Sequence, residues 1–497
     1  MAREAEHKTP NLLDLEEDEI RAWLKEVCKT WQQPGVSIAI LRRGCDPFVT
    51  GVGRCKVGTQ RQVGARTLFA AASVSKTFAS ATLGILWQEG LVSFDDRVID
   101  YLPDFRLSDD HVTNAMTIAD LLSNRSGLSS SEGRHRRCAT SRRDLMRRMA
   151  HQPFRHPFRK QFGYCSDTFT CAGLVVEAIT GKAWEDYARE TIWEPIGMAR
   201  TGADHRAAKG DPDSAVPHLM MGGGPAPIDW AYEEVATPAG GVNTCAFDLS
   251  LWLAELLKAA KGKSSILSKR AFDRLIAPQV EEDGNFRDDE FASVIGNGDM
   301  GVQDPFYALG WYGHTFHEQR VYYHTGAIDG FRSIAGFLPD LNIGCAVLAN
   351  ADKAFLPRAL FHRLVEEAAK AKVHHPFVPG FLDHSLRIHA SKQEHAEPKS
   401  SPEGSICPIR VGELCGRYQD HSGFGEAVVR CDGERLMLVI GAATYRLEHI
   451  SGSSFAGWRT APYAPLKQFE ARWFLDAQHK PIRFVTTQNA QFERIEG

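Results

Sequence analysis

The chemistry most open to view lies in Ser73-Val74-Ser75-Lys76, which sets an amine three residues after a hydroxyl. On a helix, residues three apart stand one turn above each other on the same face, so the Lys76 amine can reach the Ser73 hydroxyl. Serine is a weak nucleophile until a neighbour takes its proton, and a lysine does so only when desolvation or a nearby positive charge makes it neutral. The flanking residues suit that task. Phe69 to Ala72 precede the pair, and Phe78, Ala79, Leu83, Leu86 and Trp87 follow at helical spacing, so the pattern predicts a buried helix beginning at Ser73. A helix start also presents unpaired N–H groups and partial positive charge, which favour an alkoxide and an oxyanion. Taken alone, the four residues read more readily as an N-cap serine and a solvated lysine, so the rest of the chain has to decide.

Composition narrows the classes. With 497 residues, 43% of them hydrophobic, the chain can form two or more domains with real cores. A formal net charge of -4 gives no general pull toward nucleic acid or an anionic membrane. The chain has no apolar run long enough to span a bilayer, and Met1 to Lys8 are too charged for a signal peptide core, so a cytoplasmic protein is expected. The 11 cysteines, an odd number without a Cys-x-x-Cys pair, argue for neither a disulfide framework nor a zinc site; no metal or cofactor is expected. Neither a Gly-x-Ser-x-Gly elbow nor a Walker-type phosphate loop is present.

The elements that must position the pair come next. Residues 16–31 carry Ile20, Trp23, Leu24, Val27 and Trp31 on one helical face, and Val36 to Leu41 and Phe48 to Val57 read as antiparallel strands leading to the Ser73 helix. Strands on both sides of a helical block predict an α+β domain. Beyond Trp87 follow Gly90-Leu91, Asp95-Asp96, Leu102-Pro103 and Leu121-Leu122-Ser123-Asn124-Arg125-Ser126-Gly127-Leu128. This order resembles the serine β-lactamase and penicillin-binding-protein-like superfamily, in its class C-like esterase and transacylase branch. The resemblance is strong over roughly residues 15–372, and it implies an antiparallel sheet flanked by helices.

Further motifs take their roles from that resemblance. Tyr164 in Phe162-Gly163-Tyr164-Cys165-Ser166-Asp167 matches the family's Tyr-x-Asn, which implies a phenol relaying protons among Ser73, Lys76 and the leaving group. Ser166 replaces the asparagine and should face the same site, since residues two apart in an extended segment point the same way; its hydroxyl lacks an amide's paired donor and acceptor. His324-Thr325-Gly326-Ala327 matches the Lys-Thr-Gly or His-Thr-Gly motif of a site-lining strand. The resemblance implies substrate contacts from Ser166, His324, Thr325 and Gly326, and an oxyanion hole from the backbone N–H groups of Ser73 and Ala327. A histidine is mostly neutral at pH 7 and anchors a carboxylate less well than lysine, which points away from a β-lactam.

Other stretches carry weaker signals. Arg134 to Lys160 is arginine-rich, either a solvated face or a docking surface for an acyl-carrier protein or coenzyme A thioester. Met221 to Pro227 reads as a loop, Gly240-Gly241 as a turn before the helix Phe247 to Lys261, and 280–305 as a surface insertion able to form part of a lid. His384 to Pro408, polar and proline-bearing, separates a catalytic domain (1–380) by a linker (381–408) from short turn-punctuated strands (409–497) that resemble a lipocalin-like β-barrel. The expected activity is acyl transfer through a Ser73 ester, with an ester, thioester or amide as donor and no nucleic-acid or membrane partner. The alternatives are a true β-lactamase or D-peptidase and an idle scaffold with the same fold.

Overall fold

The computed structural model describes residues 12–128, 136, 138–221, 224–231, 234–282, 301–352, 355–370, 378–382 and 409–495, the last without 421–423, 434, 452, 461–466, 477, 479 and 488–489. The centre of the expected lid and most of the linker lie outside the described residues. No helix among them is long and apolar enough to cross a membrane.

Helix α1 (Glu17–Thr30) opens with a capping box between Glu16 and Glu19 and buries Ile20, Leu24, Val27 and Cys28. It packs on an antiparallel sheet of β1 (Gly35–Leu41), β2 (Phe48–Gly53), β3 (Val280–Glu281), β4 (Val302–Tyr307), β5 (Tyr312–Phe316), β6 (Gln319–Ile328), β7 (Phe331–Leu338) and β8 (Ile343–Ala349), ordered β2-β1-β8-β7-β6-β5-β4-β3. Strands β1 and β8 are buried throughout because helices cover the sheet, and their near-continuous Val, Ile, Ala and Leu runs fit that burial. Tyr307 ends β4, and Ala308–Trp311 turns the chain into β5. Met221 to Pro227 is likewise part of a hairpin, His218–Met221 paired with Gly224–Pro227, rather than a bare loop.

At the centre lies α2 (Ser75–Gln88), buried from Ser75 through Leu86. Phe78 on its underside meets Trp193 edge-on at 5.9 Å and Trp252 at 5.0 Å, so α2 rests on an aromatic floor. Beside it run α3 (Ser166–Thr180) and α4 (Ala246–Ala259), and α5 (Leu356–Ala368) covers β7 and β8. The Glu367 carboxylate at the end of α5 accepts the Leu12 N–H at 2.6 Å and ties the segment before α1 to that helix.

The C-terminal part is a closed eight-stranded barrel, β9 (Gly416–Asp420), β10 (Glu426–Asp432), β11 (Arg435–Ile440), β12 (Ala443–Ser451), β13 (Ser454–Arg459), β14 (Lys467–Leu475), β15 (Pro481–Thr486) and β16 (Gln491–Ile495). Closure removes the free sheet edges, and Tyr418, Leu438, Trp473, Phe484 and Phe492 fill the interior. The barrel also grips the first domain. Cys138 packs into its core and accepts the Ala442 N–H at 3.2 Å, and Arg148 donates to the Phe424 carbonyl at 2.9 Å.

Candidate active site

Ser73 does not begin α2. It occupies a 3-10 turn, Ala72–Val74, that leads into the helix, and Ala72 takes a positive φ of 46°, a conformation that costs energy for any residue with a Cβ. The turn is stapled in place. Ser75 Oγ donates to the Ala72 carbonyl at 2.6 Å and accepts the Val242 N–H at 3.0 Å, while Ala71 N–H donates to the Val242 carbonyl at 2.8 Å. On the other side, Ser333 Oγ donates to the Ala71 carbonyl at 2.7 Å. Gly326 fits against this turn only because it has no side chain: a Cβ there would lie 2.2 Å from the Ala71 carbonyl oxygen. That close approach brings Ala327 to the wall of the pocket that Ser73 also lines.

Lys76 is fully buried, whereas Ser73 is only partly covered. The Lys76 Nζ donates to Ser73 Oγ at 3.1 Å, to Ser166 Oγ at 3.1 Å and to the Ala239 carbonyl at 2.7 Å, with the rings of Tyr164 and Phe169 at 4.9 and 5.3 Å. Ala239 belongs to the short helix Thr237–Gly240 in the glycine-pair segment. Arg142 secures that helix, bonding the Thr237 hydroxyl and the carboxylates of Glu177 and Glu185.

Tyr164 and Ser166 do face one site, by a different local structure from the expected extended run: Ser166 is the first residue of α3. Asn124 holds the loop before it, accepting the Gly163 N–H on its carbonyl at 2.8 Å and the Cys165 N–H on its side chain at 2.9 Å. The Tyr164 hydroxyl is hydrogen-bonded with Ser73 and Ser166; burial pushes it up to about 12, against the pull of those two hydroxyls and of the Arg136 guanidinium.

His324 is fully buried behind the pocket. Its Nδ1 lies 2.7 Å from the Thr325 carbonyl, which can only accept, so Nδ1 carries the proton and Nε2 accepts from the Tyr307 hydroxyl at 3.0 Å. Burial, with Lys76 adding to it, lowers this imidazole to about 3, and burial lowers His314 to about 3 as well. An unfolded histidine titrates near 6.5, so stability is full above that pH and falls as the unfolded chain takes up protons the native state refuses. The loss from pH 7.5 to pH 5 is expected to reach about 2 kcal/mol for each of the two. Denaturant midpoints at the two pH values check this, and an unchanged midpoint would contradict it.

The cavity over Ser73 holds about 150 Å³; Arg136 of the arginine-rich segment and two charged residues not singled out from the sequence, Asp329 and Arg459, line it together with Ser73, Ser166 and Ala327. Arg136, 14% exposed, lies 3.5 Å from the Asp167 carboxylate. Arg459, on barrel strand β13 and 5% exposed, pairs with Asp329 at 2.7 Å. The second domain thus supplies part of the wall. The arginine-rich segment proves mixed in use: Arg148 pairs with Asp144 and Arg159 with Asp120, while Arg143 and Arg147 reach Asp104 from more exposed positions.

The beta-lactamase family profile matches residues 20–369. The unguisins hydrolase ungD' of Aspergillus campestris is 26% identical over 358 residues, 69% of this chain and 64% of that protein. Protein flp of Staphylococcus aureus is 24% identical over 332 residues, 66% of this chain and 62% of that protein. The chain therefore spans less than two thirds of the length of these curated relatives. Among solved structures, the octameric penicillin-binding protein homologue from Pyrococcus abyssi aligns with 96% of this chain and 100% of its own, with a TM-score of 0.61 at 18% identity. A D-stereospecific amidohydrolase from Streptomyces sp. aligns with 68% of this chain and 95% of its own, with a TM-score of 0.55 at 21% identity. At these identities the structural likeness speaks for the fold alone.

Proposed function

The chain belongs to the beta-lactamase family, and from that premise we propose that it is a serine hydrolase or acyltransferase working through an acyl-Ser73 intermediate on an ester, thioester or amide. The observation that carries the reading is the fully buried Lys76 amine 3.1 Å from Ser73 Oγ. In its unprotonated form Lys76 takes the serine proton as Oγ attacks the substrate carbonyl, and the N–H groups of Ser73 and Ala327 receive the oxyanion. Tyr164, hydrogen-bonded with Ser73 and Ser166, passes its proton to the leaving group as the carbonyl reforms and regains, through the Ser166 hydroxyl, the proton that Lys76 took from Ser73. Water, an alcohol or an amine then attacks the ester and releases the acyl group. Hydrolysis as the outcome draws support from the hydrolase among the curated relatives.

The substrate carries an anionic group. Two guanidiniums, Arg136 and Arg459, and one carboxylate, Asp329, line the cavity, so positive charge is in excess there even with the Arg459–Asp329 pair intact, and a guanidinium fork matches a carboxylate. His324, neutral and bonded on both ring nitrogens, is poorly suited to that task and acts by supporting its strand. Arg459→Ala is therefore expected to raise KM about 10- to 100-fold for a carboxylate-bearing substrate while changing KM far less for its neutral ester. Equal changes in the two KM values would remove the anion from this reading. A carrier-protein or coenzyme A thioester donor would dock through Arg143 and Arg147, the more exposed arginines of the basic segment.

A true β-lactamase or D-peptidase is the second reading, favoured by the fold. Intact-mass analysis with an activated ester, an acyl thioester and a β-lactam separates the two: the reagent that leaves its acyl group on the protein identifies the donor class.

A further inference from the structure

Two thiols of the barrel sit together outside the set of residues that line the cavity over Ser73. Cys415 is the residue just before β9 and Cys431 is on β10, and their sulfur atoms lie 3.1 Å apart. In the β9–β10 register Gly416 faces Val429, so Cys415, just outside the ladder, lies beside the end of β10 that carries Cys431, and the sulfur-to-sulfur distance shows that the two side chains meet there. Both are accessible: Cys415 is half-buried and Cys431 exposed, whereas Cys28, Cys55, Cys138, Cys165, Cys171, Cys245 and Cys345 are buried.

The backbone that carries them is held firmly. The Arg494 guanidinium, from β16, donates to the carbonyls of Glu413 at 3.0 Å, Pro481 at 3.2 Å and Cys415 at 2.8 Å. The Tyr418 hydroxyl donates to the Leu414 carbonyl at 2.9 Å. The segment entering the barrel is thereby pinned between its first and last strands, with the two sulfurs already 3.1 Å apart.

We infer that Cys415 and Cys431 form a redox-active thiol pair that closes to a disulfide by exchange with a small-molecule disulfide of the glutathione class. The Cys431 thiolate attacks one sulfur of the incoming disulfide, breaking its S–S bond and releasing one small thiolate. The Cys415 thiolate then attacks the Cys431 sulfur of the mixed disulfide, forming the intramolecular bond and expelling the second small thiolate. Two protein thiols are oxidised by two electrons, one small disulfide is reduced to two thiols, and the two protein protons end on those thiols. The exposed Cys431 is the attacking partner; burial and its neighbour push the Cys415 thiol up to about 11, with Arg494 working in the opposite direction. Cys415 is thus the resolving residue, acting through proximity. The resulting bond ties the point where the chain enters the barrel to the second strand.

The full chain, reduced and then treated with oxidised glutathione at neutral pH, tests this. Peptide mapping without reductant should find Cys415 joined to Cys431, and the protein mass should fall by two hydrogens at that pair. Cys45, the other exposed thiol among the described residues, should carry glutathione instead. Cys415→Ser should convert the outcome at Cys431 to a stable mixed disulfide, and Cys431→Ser should slow modification of Cys415. In the wild-type protein, a glutathione adduct that persists at Cys431, or no reaction at the pair under conditions that modify Cys45, would overturn the inference. The mapping needs no variant, so a serine substitution that fails to fold does not blunt it. Acyl-transfer activity is not the readout, so the outcome is independent of the proposed mechanism.

Discussion

Ser73→Ala is expected to lower kcat by about 10⁴- to 10⁶-fold and to abolish the acyl adduct altogether. The size follows from the role: with the hydroxyl gone, no bond to the acyl carbon can form, and only substrate binding and the oxyanion donors remain. The fold should survive, because Ser73 is partly exposed and the turn around it is held by Ser75, Val242 and Ser333 rather than by the Ser73 side chain. Intact mass after incubation with an activated ester should show the added acyl group on the wild-type protein and none on the variant. Unimpaired turnover by Ser73→Ala would end the acyl-serine mechanism.

Lys76→Met carries the second large effect, a loss of about 10³- to 10⁴-fold in kcat. Methionine keeps the length and apolar stem, so α2 remains packed, but the proton acceptor is removed. The substitution also takes the 2.7 Å donor from the buried Ala239 carbonyl, which is expected to cost about 1–3 kcal/mol of stability. The two consequences separate experimentally. Thermal melting reports the stability loss, and turnover measured well below the lowered midpoint reports the chemistry. A variant that melts earlier but turns over normally would leave Lys76 with a structural role only.

Much of this site was legible in the sequence because its parts lie in short, ordered motifs. The Ser73/Lys76 spacing, Tyr164 two residues before Ser166, and the strand from His324 to Ala327 each carry their geometry in local spacing, and the fold brings all of them around one cavity or directly behind it. Local readings went astray where tertiary contacts set the backbone. The 3-10 turn at Ser73 depends on Val242 and Ser333, which are distant in sequence, and propensity alone would not place Ala72 at positive φ. The hairpin around Met221 was masked by its glycines and prolines, which read as loop. In the barrel, 454–459, 481–486 and 491–495 are strands, but their mixed composition gives little alternation to read; closure with their neighbours makes them strands. Arg459 and Asp329 are 130 positions apart, and no spacing rule links an arginine on one domain's strand to an aspartate beside another domain's motif.

That last pair has a consequence for how such a protein changes over time. The motifs proposed to make and break bonds all sit in the first domain. The wall opposite them is written partly in the barrel, which takes no part in bond making. Under the proposed mechanism, substitutions on β13 would retune which molecules enter while leaving the acyl chemistry intact, so that selectivity and reactivity would be inherited on separate stretches of the same chain.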